Sequence, residues 1–312
     1  MRYGRYDFNC RFDQRAELPG YKGSTFRGVF GHALKFVVCT LKRQTCDTCL
    51  LKAQCIYARV FETHLTVSLP QNARMSAATH PFVIRPPQTE KTRYAKGDPF
   101  SFSLLLFGEM NHHLPYFIYA FDRMGRLGVD KKINGCRGRF TLEKVTHEGR
   151  TIYAHMDQRL TMDNPLLSLE LSSLPDPSAE QRSLRLTINT PLRLKFDNRL
   201  TANLSFHLLT RSMLRRVSSL LSVYGSGEPQ LDYKGLVKRA THIKNTESTL
   251  HWFDWKRYSA RQDQKMLMGG MLGTVTYTGA LDEFLPLITF CEKTHIGKQT
   301  AFGLGEISVN KE

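Results

Sequence analysis

Along residues 3–12 apolar and polar side chains alternate: Tyr6, Phe8, Cys10 and Phe12 fall on one face, Asp7, Asn9 and Arg11 on the other. A period of two predicts a half-buried strand. The turn-forming run LPGYKGS follows, with Ser24 placed to cap a helix. Phe26, Val29, Phe30, Ala33, Leu34 and Val37 then recur at helical spacing. Residues 100–108 read as a strand and 114–124 as a helix. Residues 126–139 read as a loop rich in Gly, Arg and Lys, leading into the strand FTLEKV.

Residues 172–183 are Ser-, Pro- and charge-rich with no apolar period, which predicts a linker. Past it, LRLTINTPLRLKF alternates as a strand interrupted by Pro191, and a helix runs from about 202 to 223. KMLMGGMLGTVTYTG is a strand pair or one bent strand, LDEFLPLITFCEK a helix, and EISV a last strand after the glycine-rich GKQTAFGLG. Both halves thus run strand, long helix, variable middle, strand, helix, Gly/basic loop, strand. A β-α-β-β-α-β unit is the ferredoxin-like plait. The expected architecture is α+β, two tandem ferredoxin-like (RRM-like) domains at 1–175 and 184–312, the first carrying an insertion near 39–55.

Composition sharpens this. Hydrophobic residues make up 41% of the 312, enough for packed cores. Lys and Arg total 44 against 28 Asp and Glu, a net charge of +16, which points to a polyanionic partner. No apolar run is long enough to cross a bilayer and the first residues lack a signal-peptide core, so the chain reads as cytoplasmic, with no membrane partner.

Four of the seven cysteines cluster: Cys39, Cys46, Cys49 and Cys55. The central CxxC with its two flanking thiols suits a structural metal, zinc or an Fe–S cluster, unless the four are simply reduced cysteines in a partly buried hairpin. The remaining three, Cys10, Cys136 and Cys291, read as small apolar fillers.

The glycine loop near the end sits between the last helix and last strand, where it cannot feed a helix N-terminus. Either Gly297, Gly303 and Gly305 let backbone N–H groups approach an extended phosphate chain, with Lys298 adding charge, or the connection simply requires positive φ. On the helix near 202–223, His207, Arg211 and Arg215 form one basic stripe, or a merely solvated face. The first-half loop adds Arg126, Lys131, Lys132, Arg137 and Arg139. Residues 250–262 interleave Trp252, Trp255 and Tyr258 with Lys256, Arg257 and Arg261, a pattern that stacks bases unless the tryptophans are core.

Four stretches together, LPGYKGSTFRGVFGHALKFVVC, CDTCLLKAQCIYARVFE, RSMLRRVSSLLSVYG and HIGKQTAFGLGEISV, resemble the CRISPR-associated repeat-processing endoribonucleases. These are the Cas-six type of the RAMP superfamily, here the subset with a cysteine-rich insertion. The resemblance implies binding of the CRISPR repeat RNA and metal-independent cleavage. In that reaction the ribose 2′-hydroxyl attacks the adjacent phosphate, leaving a 2′,3′-cyclic phosphate. It implies a catalytic histidine on or near the first helix, where His32 is the one histidine.

The helical register places Gly28, His32 and Lys35 on a stripe apart from the apolar face. Tyr21 is a candidate to orient the nucleophile, Lys22 and Arg27 to meet RNA, and His295 is the runner-up base. The rival reading is a non-catalytic RAMP subunit that binds CRISPR RNA beside other effector subunits. A third is an RNA-binding module unrelated to CRISPR.

Overall fold

The computed structural model describes the chain except residues 43, 70–77, 134–135, 163–164, 172, 179, 195–202, 260–263 and 311–312, and except the side chains of 130–133, 136, 256–259 and 264–266. It divides into two compact units, Met1–Ser168 and Leu169–Glu312.

The first unit runs β1 (Arg2–Phe12), β2 (Ala16–Glu17), α1 (Gly23–Val38), α2 (Ile56–Phe61), α3 (Thr63–Thr66), β3 (Phe82–Arg85), β4 (Arg93–Tyr94) and β5 (Pro99–Phe107). It continues through α4 (Leu114–Leu127), β6 (Val129–Ile133), β7 (Cys136–Gly138), β8 (Phe140–His147), β9 (Arg150–Ala154) and β10 (Leu167–Ser168). The main sheet has the order β3-β5-β1-β8-β9, with β10 also paired to β1. The second unit runs β11 (Arg182–Leu192), α5 (Phe206–Tyr224), α6 (Tyr233–Arg239), β12 (Lys244–Ser248), β13 (His251–Ser259), β14 (Gln264–Gly279), α7 (Leu285–Thr294) and β15 (Ile307–Asn310). Its sheet order is β12-β14-β11-β15, with β13 also on β14.

Counting only the plait strands, each sheet places its fourth strand beside its first and its third between first and second. The chain is a tandem of ferredoxin-like folds.

Aromatic packing holds the first unit together. Phe8 of β1 stacks at 4.9 Å on Phe102 of β5, and Phe30 of α1 lies 4.4 Å from Phe121 of α4. Helix α1 buries Phe26, Phe30, Ala33 and Leu34 against this layer. Gly31 leaves room for the Phe61 ring of α2, whose atoms stand 3.3 Å from where a Cβ would be. In the second unit Phe206 packs edge-on against Tyr277 and Phe284, 4.9 and 5.0 Å away, and the Tyr277 hydroxyl donates to the Leu204 carbonyl at 2.9 Å.

Several local expectations change. Lys22, not Ser24, is the residue before the first turn of α1, and no side chain caps that turn. The expected loop at 126–139 is the end of α4 followed by the β6–β7 hairpin. The ambiguous stretch at 265–279 belongs to one 16-residue strand, β14, long enough to pair with three others. The short β3 was not foreseen: only four apolar-rich residues lie between Pro81 and Pro86, too few to show a period. Within the expected linker the described residues up to 181 hold no regular element, but β11 starts at Arg182.

Candidate functional site

The stripe Gly28–His32–Lys35 behaves as its register predicts on α1: Gly28 and His32 are exposed and Lys35 is half-buried. A Cβ at Gly28 would meet nothing within 4 Å, so the surface beside His32 is open to a large ligand. The Lys35 ammonium lies 5.3 Å from the centre of the Tyr57 ring and near the Cys46 thiol. Tyr21 is half-buried ahead of the helix.

Two expected RNA contacts are spent inside the unit. Lys22 is 1% exposed, and its ammonium donates to the carbonyls of Thr89 at 2.7 Å and Gly20 at 3.2 Å. Burial pushes its pKa below the ordinary lysine value, and with its ammonium enclosed and spent on two carbonyls Lys22 anchors the chain entering α1. Arg27 lays its guanidinium 5.0 Å from the centre of the Phe61 ring and 3.3 Å from His80 Nε2.

The cysteine segment hangs from the end of α1. The Cys39 N–H donates to Lys35 at 2.9 Å, Cys49 N–H to Cys46 at 3.3 Å, and Cys55 N–H to Lys52 at 3.4 Å, a chain of tight turns. All four thiols are free and half-buried. Burial raises the Cys46 pKa; nearby Lys35 lowers it, while Glu62, Cys55 and Cys39 raise it, so three of the four sulfurs share a neighbourhood. The donor chemistry fits zinc. The arrangement is looser than a closed site, because among the described residues no three or more His, Cys, Asp or Glu side chains form a metal-binding group.

In the second unit the glycine loop folds down onto β11. Gly297, Gly303 and Gly305 have φ of 82°, 82° and 72°, the left-handed region that favours glycine. A Cβ at Gly305 would lie 1.8 Å from the Ile296 carbonyl oxygen, and one at Gly297 2.7 Å from that of Arg193. The backbone donors are used internally: Lys298 N–H to Arg193 at 3.0 Å, Gly303 N–H to Thr300 at 2.7 Å, Gly305 N–H to Pro191 at 3.2 Å. For Gly303 and Gly305 the expected cradle of amides for phosphate is therefore corrected. Buried Gly303 and Gly305 shape the loop, and Lys298 with Gln299 form its exposed tip.

His295 is also corrected. It is 1% exposed, with Nδ1 3.2 Å from the Leu304 carbonyl oxygen, and is a loop fastener out of reach of substrate.

One residue that the sequence reading passed over sets this loop's origin. Arg216 of α5 is 6% exposed and donates from Nε at 3.1 Å and Nη2 at 2.6 Å to the carbonyl of Thr294, the last residue of α7. Burial lowers its pKa to about 10, so it stays cationic at neutral pH at the negative end of that helix. Its signal was present: Arg216 follows Met213 by one turn on the apolar face of α5.

On the opposite stripe Arg211 and Arg215 are exposed and His207 half-buried. Burial and neighbouring Arg211 push the His207 pKa below the ordinary value, leaving a stripe of two cations at neutral pH. In the first unit Arg137 and Arg139 are exposed at the end of the β6–β7 hairpin, while the side chains of Lys131 and Lys132 lie outside the described residues. Of the interleaved segment, Trp255 is 9% exposed and stacks on Phe253 at 6.0 Å, and Trp252 donates to Asp254 at 2.8 Å. The side chains of Lys256, Arg257, Tyr258 and Arg261 lie outside the described residues.

Among the described residues no helix is long and apolar enough to cross a membrane. The family model AF_1859_N, an N-terminal domain, matches residues 1–165. The model of the CRISPR-associated endoribonuclease Cas6 matches residues 186–307. An uncharacterized protein of Archaeoglobus fulgidus is 24% identical over 292 residues, 92% of this chain and 91% of its own length.

Among solved structures, the Thermus thermophilus Cas6 superposes with a TM-score of 0.56 at 13% identity, over 99% of this chain and 98% of that one. A Cas6 product complex gives 0.56 at 14% identity over 99% of both chains. A partial Cas6-RT-Cas1–Cas2 complex gives 0.59 at 13% identity over all of this chain and 46% of that one. At such identities the superpositions speak for the fold. The chain thus belongs to the family whose N-terminal domain model, AF_1859_N, spans residues 1–165, and its second plait is similar to the CRISPR-associated endoribonuclease Cas6.

Proposed function

We propose that this protein cleaves precursor CRISPR RNA within its repeats, by a metal-independent attack of the ribose 2′-hydroxyl that leaves a 2′,3′-cyclic phosphate. The observation that supports it most is the exposed His32 on the open stripe of α1. An imidazole titrates near neutral pH and so can take the proton of the attacking hydroxyl or return one to the leaving oxygen. In this reading Tyr21 orients the nucleophile and Lys35 offsets charge on the phosphorane. Arg137, Arg211, Arg215 and Lys298 hold the RNA backbone.

The test uses a repeat RNA in excess chelator, beside the same RNA with a 2′-deoxy sugar at the scissile position. Cleavage of the first alone, abolished by His32→Ala with repeat binding within a few-fold, is expected. A fully active His32→Ala removes His32 from the mechanism.

One observation favours the rival, a non-catalytic subunit that holds CRISPR RNA beside other Cas proteins. Among the described residues nothing hydrogen-bonds to His32, whereas a catalytic imidazole is commonly oriented by a second group. Tight binding of both RNAs without cleavage selects that reading.

The reading includes one structural metal, zinc fitting the donors best, on Cys39, Cys46, Cys49 and Cys55, outside the chemistry. Elemental analysis is expected to find about one ion per chain. A metal-free, fully folded preparation refutes it.

A further inference from the structure

Outside every surface discussed so far, the first unit carries an aromatic and cationic strip along α4 and the end of α1. Tyr116 and Tyr119 are 45% and 54% exposed, and Phe36 is 53% exposed. Arg123, one turn beyond Tyr119, places its guanidinium 4.2 Å from the centre of the Phe36 ring, and the Lys42 ammonium approaches the same ring at 5.0 Å. Both cations thus meet at the Phe36 ring, and Tyr116, Tyr119 and Arg123 follow one another on one face of α4 at helical spacing. Isolated exposed aromatics need no explanation, but a contiguous set does.

The charge pattern sharpens the point. Among the described residues neither Arg123 nor Lys42 has a carboxylate partner, and the Nε of Arg123 is enclosed without a hydrogen bond. The nearest acid on this helix, Asp122, is buried and held by Arg126 at 2.7 Å. The strip therefore offers π-faces and positive charge with no free carboxylate to repel phosphate.

We infer that this strip binds single-stranded RNA flanking the repeat, its bases stacking on Tyr116, Tyr119 and the Phe36–Arg123 pair and its phosphates meeting Arg123 and Lys42. Aromatic faces interleaved with cations are how proteins hold unpaired nucleotides without regard to sequence. The dimensions agree. Tyr116 to Arg123 spans roughly 10 Å along the helix axis, the length of about three stacked nucleotides. The inference rests on the RNA-processing reading and extends it from the repeat to the sequence beside it.

The test measures binding of two RNAs, both 2′-deoxy at the scissile position: the bare repeat, and the repeat with an unpaired flank on either side. The wild-type protein is expected to prefer the flanked RNA by at least about fivefold, since one stacked base is worth ~1 kcal/mol or more. The Tyr119→Ala/Arg123→Gln double variant is expected to lose that preference while binding the bare repeat within about twofold. Retained bare-repeat binding also shows that the variant is folded. A wild-type protein without preference, or a double variant that keeps it, overturns the inference and leaves the strip to a protein partner. Failure of the wild type to bind either RNA overturns the RNA-processing reading with it, an outcome separable from the others.

Discussion

Between α4 and β8 the first plait carries the β6–β7 hairpin, with Arg137 and Arg139 exposed at its far end; between α7 and β15 the second carries a loop folded onto β11, with Lys298 at its tip. These connections occupy the same place in two copies of one topology. The first pairs its backbone with itself as a two-stranded ribbon and is tied to the unit at its closing end, where Asp13 N–H donates to the Arg139 carbonyl at 3.0 Å and Gln14 Nε2 to that of Arg137. The second pairs its backbone with β11 through Arg193 and Pro191, and glycines make that close approach feasible. The same slot can thus present cations on a ribbon anchored at its closing end or on a turn welded to the sheet. What differs is how much of the unit must hold still for the charge to stay in place.

That contrast can be broken by substitution. The largest effect is expected from Gly305→Ala, which sets a Cβ against the Ile296 carbonyl at a φ of 72°. Left-handed strain and overpacking together should cost roughly 2–5 kcal/mol in a denaturation experiment. Gly128→Ala opens the other connection. It shares a positive φ, and its new methyl would stand 2.8 Å from the Arg137 Cβ and 3.0 Å from the Arg137 carbonyl, a milder clash than the one at Gly305. Its cost should be smaller, about 1–3 kcal/mol. Equal costs would erase the distinction.

Next in size is Arg216→Met. It leaves the buried Thr294 carbonyl without its donors, at about 1–3 kcal/mol. Amide exchange should quicken at 295–305 and stay unchanged at 129–138.

Binding gives a smaller readout that should not distinguish the two connections. Lys298→Ala and Arg137→Ala should each weaken RNA binding for every sequence and reduce the salt slope by about one. An unchanged slope for either removes that connection from the phosphate contacts.

Smallest is the effect of pH through His207. Its folded pKa is lowered by burial and by Arg211, so below the unfolded value of about 6.5 the unfolded chain binds more protons. Stability should therefore fall as pH drops through and below that value. His207→Gln should flatten the decline by less than Gly128→Ala costs.

Both plaits were legible because alternation at β1 and β11, the apolar run of β5 and the helical periods of α1, α4 and α5 each run long enough to outvote chance. The α1 stripe was legible for the same reason. What could not be read is where polar groups end. Lys22 looks like a surface lysine until its ammonium meets Thr89, a partner far along the chain. His295 and the loop glycines suggest chemistry at an open edge, yet their bonding turns inward to Leu304, Arg193 and Pro191. The strip on α4 escaped because Arg123 and Phe36 belong to different helices, and only packing makes them one surface.

The edge of β11 that carries the glycine loop depends on a strand from far along the chain: Asn189 bonds to Ser308 across 119 residues. During synthesis this edge must wait, unpaired, while α5 through α7 are made. A nascent or prematurely ended chain therefore displays an open strand next to an incomplete loop, a template for sticking to its neighbours. Arrival of β15 closes that edge and in the same event welds the loop, so a chain that has escaped this aggregation hazard is also one with its second-unit loop in working shape.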